Sequence, residues 1–347
     1  MRTKSSFYRR PLYKQNALTC VNNFHFFPAN MTTQKKIITV FGATGAQGGG
    51  LVRAILNDPA SEFSVRAVTR NIYSEKALAL HQLGAEVVMA DLDDTESIKQ
   101  ALRGAYGAFF VTFYWEHISA EKEKAQIHNL ANAAKEEGLQ HIIWSTLEDT
   151  RNWIPLTDNR MPTLQDKYKV PHFDAKGESD QYFIDLNLPV TFLKASFYWE
   201  NFIYFGMGPK KDESGKWVLT LPMGDKKLPG IAAEDIGRCA YGIFKNGPSF
   251  IGKTIGIAGE HLTGQEMAAA MAKATGQEII YNSISPATFR SFGFPGADDV
   301  GNMFQFYQEF NISLLNNRNV EITSEINPSL QSFDQWLSEN AQRIISN

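Results

Sequence analysis

Two short stretches of this sequence carry side chains suited to proton chemistry. His172 and Lys176 are one helical turn apart in a predicted helix, so the imidazole and the ammonium group would lie on one face. Free imidazole titrates near the working pH, which makes His172 a candidate general acid. Ser145 and Thr146 end a predicted strand, and the Ser145 hydroxyl could polarise a substrate. The structural alternatives are a hydrogen-bonded histidine, a solvated lysine and a serine that caps the strand end.

A glycine-rich turn, Gly42-Ala43-Thr44-Gly45-Ala46-Gln47-Gly48, lies between an apolar strand-like run at 37–41 and a segment with helical spacing at 49–56. Gly42 permits a tight bend, Gly45 leaves room for a pyrophosphate, and Gly48 allows the helix to pack closely against the sheet. The unpaired amides and the positive dipole end of that helix would face the phosphates. A purely structural turn is the alternative, but the strand, turn and helix together favour dinucleotide binding.

The elements that must position these residues alternate along the chain. Strands are predicted near 37–41, 63–71, 86–90, 107–112, 141–146 and 189–194, with helices between them. Strand-helix alternation at this spacing requires right-handed parallel crossovers. The predicted fold class is therefore α/β, a doubly wound parallel sheet of the NAD(P)-binding Rossmann type. Such sheets bind ligands at the carboxyl ends of their strands, where the candidate residues fall.

The sequence changes in character after residue 195. An aromatic-rich stretch leads to a predicted hairpin around Trp217-Val218-Leu219, with Gly224-Asp225 in a turn, and to a returning strand at 253–257. Helices are predicted near 263–274, 285–293, 297–310 and 329–345. We expect a Rossmann domain over 31–195, with returning segments near 229–258, and a smaller, mostly helical substrate or partner lobe over 196–347.

Residues 1–30 differ from the rest of the chain because they are basic and contain no Asp or Glu. We expect these residues to be a disordered tail or an extension upstream of a native start at Met31. A targeting peptide is the alternative.

The composition restricts the partners. Lys and Arg number 34 against 37 Asp and Glu, so the charge balance gives no case for nucleic acid. Two cysteines, Cys20 and Cys239, make no disulfide framework and indicate a reducing compartment. No apolar stretch approaches the roughly 20 residues that span a bilayer, and no metal-ligand spacing occurs. We expect a soluble cytoplasmic protein without a metal.

The end of the second strand indicates which dinucleotide binds. An acidic residue there would bind the ribose hydroxyl of NAD, whereas an arginine accommodates the extra phosphate of NADP. This chain has Arg70 and Asn71 at this position and no acid, so the sequence favours NADP(H) over NAD. The structural alternative is that Arg70 is a solvated arginine at a strand end.

The sequence resembles the NmrA-like family, an atypical branch of the short-chain dehydrogenase/reductases. The resemblance covers about 35–340 and is carried by the glycine-rich turn, Val68-Thr69-Arg70-Asn71, Thr112-Phe113-Tyr114-Trp115-Glu116, His172-Phe173-Asp174-Ala175-Lys176-Gly177-Glu178, Tyr198-Trp199-Glu200-Asn201, Gly293-Phe294-Pro295-Gly296-Ala297 and Asp334-Gln335-Trp336-Leu337. It implies NADP(H) contacts from Gly42, Ala43, Thr44, Gly45, Ala46, Gln47, Arg70, Asn71, Asp91, Leu92, Thr112, Phe113, Tyr114, Lys176, Tyr198, Trp199, Glu200 and Asn201. Relatives are often basic just after the arginine, whereas Ile72-Tyr73-Ser74 follows here, so Arg70 must supply most of the discrimination.

Two functions remain open. Ordinary members of the superfamily use Tyr-x-x-x-Lys with a serine on strand five. Here His172 replaces the tyrosine, Lys176 matches the lysine, and Ser145 or Thr146 supplies the hydroxyl. One interpretation is a reductase of a small hydrophobic electrophile, a quinone or a carbonyl compound, with aromatic walls at 113–115 and 197–199. The other is a non-catalytic NADP(H) redox sensor that regulates a protein partner. The long helix at 118–137 needs no functional role, and the oligomeric state, monomer or dimer, stays open.

Overall fold

Three sheets form in the computed structural model, which describes residues 34–345; the basic segment 1–30 lies outside the described residues. The strands, in chain order, are β1 (Lys36–Val40), β2 (Phe63–Thr69), β3 (Glu86–Met89), β4 (Gly107–Phe110), β5 (His141–Thr146), β6 (Val190–Lys194), β7 (Phe197–Tyr198), β8 (Lys210–Lys211), β9 (Trp217–Leu221), β10 (Lys227–Ile231), β11 (Thr254–Gly256), β12 (Glu260–Thr263) and β13 (Ile279–Ser283). The main sheet has seven parallel strands in the order β11-β6-β5-β4-β1-β2-β3. This order confirms the predicted doubly wound α/β fold.

Helices flank the main sheet and make up most of the C-terminal region. They are α1 (Ala46–Leu56), α2 (Glu75–Gln82), α3 (Thr95–Leu102), α4 (Ala120–Glu136), α5 (Pro171–Asp185), α6 (Asn201–Tyr204), α7 (Ala233–Lys245), α8 (Gly264–Thr275), α9 (Pro286–Arg290), α10 (Ala297–Glu309), α11 (Asn311–Asn317), α12 (Val320–Ile326) and α13 (Phe333–Ile344). Short 3-10 turns lie at Tyr114–Glu116, Thr150–Asn152 and Gly247–Phe250. Within residues 34–345, no helix has the length and apolarity needed to cross a bilayer.

The central strands of the main sheet are buried on both faces, because their side chains alternate between two sides that are both covered by helices. Phe109 and Ile143 belong to the core under α1 and α7, whereas Phe110 and Trp144 belong to the core under α3, α4 and α5. All residues of β4 and β5 are buried. A ligand can therefore reach these two strands only at their ends, and doubly wound sheets bind ligands at the carboxyl ends.

Helix α7 packs closely on α1 through small residues. A Cβ on Gly237 would lie 2.1 Å from the Leu51 backbone nitrogen, and one on Gly50 would lie 2.6 Å from the Glu234 carbonyl oxygen. Arg53 adds an ion pair to Glu234 at the same interface. Both positions must remain glycine for the helices to come this close, and this contact holds the helix of the glycine-rich turn in place.

The predicted hairpin around Trp217 forms between β8 and β9, before β9 in the chain, and not across the Gly224 turn that follows β9. β9 pairs antiparallel with β8 and parallel with β13, whereas β10 pairs with β7 and β12. Gly224 does turn the chain, with φ +56°. However, the chain after this turn pairs with β7 instead of β9. Gly230 of β10 lies directly against the Trp199 indole, where a Cβ would lie 2.2 Å from Nε1.

The C-terminal region has its own apolar core. It includes Trp199, Phe202, Leu219, Phe304 and Trp336. The predicted helices near 263–274, 285–293, 297–310 and 329–345 correspond to α8, α9, α10 and α13, and the returning strand at 253–257 is β11, parallel to β6. α11 and α12 were not predicted, because each is only seven residues long and largely polar.

Candidate cofactor and catalytic site

The glycine-rich turn lies at the carboxyl end of β1 and has the geometry that the sequence predicts. Gly42 has φ +63°, in the left-handed region that favours glycine. A Cβ on Gly48 would lie 2.4 Å from the Gly42 carbonyl oxygen, so this position also requires glycine. Gly45 is the N-cap of α1, with no side-chain cap and no acid in the first turn. The first amides of α1 are therefore available to an anion, and the residues present fit a pyrophosphate.

Gln47 links two other candidate residues across the turn. Its side-chain amide donates to the Tyr198 hydroxyl, and its Oε1 accepts a hydrogen bond of 2.8 Å from the Ser145 hydroxyl. Ser145 is buried at the end of β5. Its proton is therefore already committed to Gln47, and donation to a substrate would require exchange of that bond.

Lys176 is buried on α5 and has acidic and polar partners. Its Nζ lies 2.9 Å from Glu123 Oε1 and donates to Thr112 Oγ1 at 2.5 Å, and Thr112 in turn donates to the same carboxylate at 2.6 Å. Trp144 covers the ammonium at 4.8 Å from its ring centroid. Burial opposes ionisation of Glu123, but the Lys176 charge, with His117 and Thr112, outweighs it and lowers the pKa of Glu123 to about 2.

His172 has a carboxylate partner from the C-terminal region. Its Nδ1 lies 2.5 Å from Asp299 Oδ1, and its backbone amide donates to Asp299 Oδ2 at 3.1 Å. Asp299 is in the first turn of α10, and both residues are buried. With Nδ1–H donated to the carboxylate, Nε2 is the nitrogen left for chemistry. Among the described residues no hydrogen bond reaches Nε2. This nitrogen is also not fully buried.

Aromatic residues surround the His172 ring. Trp115 and Phe173 lie 4.8 and 4.7 Å from it, and Tyr114, whose hydroxyl accepts from Gln165 at 2.8 Å, lies at 5.9 Å. Burial, with the nearby Asp299 charge, raises the pKa of Tyr114 above its usual value, so its phenol stays protonated.

Only some of the aromatic residues expected to form walls are accessible. Phe113 is 55% exposed, whereas Tyr114, Phe197 and Trp199 are buried in packed surroundings. Of these four residues, Phe113 alone presents a large apolar surface to a ligand.

Arg70 lies where the sequence places it, at the carboxyl end of β2. Its guanidinium pairs with Glu116, and both side chains are well exposed, at 63% and 44%. Asn71 and Asp91 form local turns, because their side chains accept the amides of Tyr73 and Asp93. Leu92 follows at the end of β3 and its carbonyl accepts from Asn129.

The segment after β7 divides between the site and the interior. Tyr198 reaches Gln47, whereas Trp199 is buried in the C-terminal core. Glu200 accepts the Ala233 amide at 2.9 Å and the Trp336 indole N–H at 3.0 Å, and burial raises its pKa. Asn201 begins α6. Trp199 and Glu200 therefore have structural partners, and their role as cofactor contacts stays a prediction.

The loop at 147–170 is tied to α5 and α10. Asp174 accepts the backbone amides of Thr150 and Lys169, both at 2.7 Å, and burial raises the pKa of Asp174 to about 6. Asn302 on α10 donates to the Lys169 carbonyl at 2.6 Å. Together with Asp299, Asn302 makes α10 the element that connects the C-terminal region to the start of α5.

Sequence reasoning missed three acidic residues of this site. Glu123 lies on α4, for which the sequence predicts no functional role. It occupies a position on the apolar stripe of Ala120, Ile127, Leu130 and Ala134, and an acid on such a stripe indicates a buried charge with a partner. Asp299 resembles an ordinary first-turn acid, and Glu116 an ordinary surface acid. Their partners are distant in sequence, so no local pattern reveals them.

A sequence model of the NmrA-like family matches residues 34–337. The chain belongs to the NmrA-like family. The NmrA-like family domain-containing oxidoreductase malD of Malbranchea aurantiaca is 32% identical over 262 residues, which are 72% of this chain and 76% of malD. This membership confirms the resemblance seen in the motifs.

Two solved structures of related fold have informative ligands. NmrA, a negative transcriptional regulator in complex with NADP, has a TM-score of 0.72 and 23% identity, covering 88% of this chain and 95% of NmrA. The NADPH-dependent quinone oxidoreductase QOR2 of Escherichia coli, complexed with NADPH, has a TM-score of 0.66 and 22% identity, covering 88% of this chain and 99% of QOR2. At these identities the likeness establishes the fold of this NmrA-like chain.

Proposed function

We propose that this NmrA-like protein is an NADPH-dependent reductase of a small hydrophobic electrophile, a quinone or a carbonyl compound. The observation that carries the proposal is the buried pair of His172 and Asp299. His172 lies on α5, one helical turn before Lys176. The naming of malD as an oxidoreductase and the quinone chemistry of QOR2 support the same reaction class.

The cofactor would lie along the carboxyl edge of the main sheet. The open amides of α1 would bind its pyrophosphate, and Arg70 would bind the 2′-phosphate of the adenosine ribose. Lys176 and Thr112 would lie toward the nicotinamide ribose, as the family resemblance implies. When bound, the cofactor supplies a hydride.

His172 would supply the proton that follows the hydride. Asp299 holds Nδ1, fixes the ring orientation and stabilises the charged imidazolium, so that Nε2–H can be donated to a substrate oxygen. Phe113 provides exposed apolar surface for a hydrophobic substrate at the same edge.

A second candidate function is redox sensing without turnover. Two contacts favour it: Lys176 is neutralised by Glu123, and the Ser145 proton is held by Gln47. Such a protein would bind the reduced and oxidised cofactor unequally and present the difference to a regulatory protein partner.

The test is NADPH oxidation by the purified chain with quinones, enones and aldehydes, followed at the nicotinamide absorbance. We expect turnover that falls at least tenfold in His172→Ala and is unchanged in His128→Ala, a matched control at an exposed position on α4. Turnover that survives His172→Ala would refute the assignment of the acid. NADPH binding without consumption of any acceptor would refute the reductase and support the sensor.

A further inference from the structure

The guanidinium of Arg70 already has a carboxylate partner in the protein. Its Nη1 pairs with Glu116, and that hydrogen bond raises the pKa of Arg70, as do the charges of Asp91 and Asp93. The arginine proposed to bind the 2′-phosphate is therefore paired with one acid and lies in the field of two more. A dianion that approaches Arg70 meets a cation whose charge is already balanced.

The backbone of Glu116 is held near Arg70 by the turn on which it lies. Trp115 packs between His172 and Gly296, where a Cβ would lie 2.7 Å from the indole. On the other side, His117 Nδ1 accepts the Ser119 amide at 3.2 Å. Glu116 is thus flanked by two anchored residues, so its backbone position beside Arg70 is a property of the fold.

The neighbour His117 also links this turn to the lysine site. Because its Nδ1 accepts a hydrogen bond, the proton of the neutral ring lies on Nε2, which faces Glu123 Oε2 at 3.4 Å. Glu123 in turn pairs with Lys176. The turn that carries Glu116 therefore lies next to the lysine site through the His117 ring.

We propose that Glu116 is a specificity-determining residue: an internal carboxylate that competes with the cofactor 2′-phosphate for Arg70. The inference rests on the proposed function, because it requires NADP(H) at the sheet edge. A phosphate presents more charge and more acceptor oxygens than a carboxylate, so it displaces Glu116. NADH carries no 2′-phosphate and leaves the pair intact. Glu116 thus lowers the affinity for NADPH and not that for NADH.

The expected effect is small, because both side chains are exposed. Exposed ion pairs of this kind correspond to about a two- to fivefold change in a binding constant. Glu116→Gln keeps the size of the side chain and removes its charge. We therefore expect it to tighten NADPH binding about two- to fivefold and to leave NADH binding unchanged.

The experiment is fluorescence titration of the full chain with NADPH and with NADH, for the wild type, Glu116→Gln, Arg70→Ala and the double variant. In the Arg70→Ala background, Glu116→Gln should have no effect on NADPH binding, because the competed group is gone. Glu86→Gln is the matched control. It also removes one negative charge from an Arg-Glu pair, with Arg66, but at the start of β3, the opposite edge of the sheet.

The outcomes separate this inference from the proposed function. If the wild type binds neither cofactor, the proposed function fails and the inference fails with it. If the wild type binds NADPH but Glu116→Gln weakens it, leaves it unchanged or shifts NADPH and NADH equally, the competition is refuted while the cofactor assignment stands. An equal gain in Glu86→Gln would reduce the effect to net charge and also overturn the inference.

Discussion

Replacing Glu123 by Gln should destabilise the protein strongly. Glu123 is fully buried, and its carboxylate lies 2.9 Å from the Lys176 ammonium, which is itself 10% exposed. The variant leaves the ammonium in the interior without its counter-charge. Removal of one partner of such a buried pair costs about 3–5 kcal/mol of the free energy of unfolding, far more than the net contribution of an intact pair. This is a large part of the stability of a typical domain.

The assay is equilibrium unfolding in urea without cofactor, because bound ligand would add its own stabilisation. Glu136→Gln is a matched control: it is the same substitution on the same helix, and it breaks an exposed pair with Lys99. It should cost less than about 1 kcal/mol. The double variant Glu123→Gln/Lys176→Met should recover much of the lost stability, because it removes the unpaired charge.

The reasoning would be refuted by a loss in Glu123→Gln no larger than that in Glu136→Gln. It would also be refuted if Lys176→Met failed to restore stability in the Glu123→Gln background. In that case the Lys176 ammonium would be solvated, and its pairing with Glu123 would have no energetic weight.

Three further predictions concern other parts of the molecule. Asp299→Asn should lower kcat about tenfold or more while NADPH affinity is kept, because the carboxylate that orients His172 and stabilises its charged form is lost; steady-state kinetics with a binding titration will test this. Gly237→Ala should lower the free energy of unfolding by about 1–3 kcal/mol in urea, since its methyl group would overlap the backbone of α1. Burial opposes ionisation of Glu148, but Arg318 outweighs it and lowers the pKa of Glu148 from 4.5 to about 2, so this group stabilises the fold above pH 4.5 and that stabilisation is lost as the pH falls toward 2. Urea unfolding between these pH values should show a flatter pH dependence in Glu148→Gln/Arg318→Met than in the wild type.

The Rossmann part of the fold could be predicted because its determinants are local. Alternating apolar residues, helix caps such as Asp94 and the glycine-rich turn each act over a few residues, and all indicate the same topology. The exceptions are instructive. β9 pairs with β13, about 60 positions further along the chain, and no pattern near Trp217 contains that information.

The candidate site could be placed by sequence but its hydrogen bonds could not. The placement of the glycine-rich turn and of Arg70 in the site follows from the rule that ligands bind at the carboxyl ends of parallel strands. The partner of His172 is 127 positions away on α10, and the partner of Arg70 is 46 positions away. Such pairs form only after the chain has folded, and both partners are ordinary surface-type residues in the sequence.

The internal pairing of the site bears on the kind of electrophile that a reductase of this design can serve. In the ordinary Tyr-x-x-x-Lys arrangement, the lysine charge lowers the pKa of the tyrosine, which delivers a proton to a carbonyl oxygen. Here the Lys176 charge is balanced by Glu123, and the Ser145 proton is held by Gln47, so little positive charge is left to polarise a carbonyl. A quinone accepts a hydride without prior protonation, and the hydroquinone anion that forms then needs one proton, which His172 would supply. If the protein is the proposed reductase, we therefore expect it to reduce quinones faster than simple aldehydes.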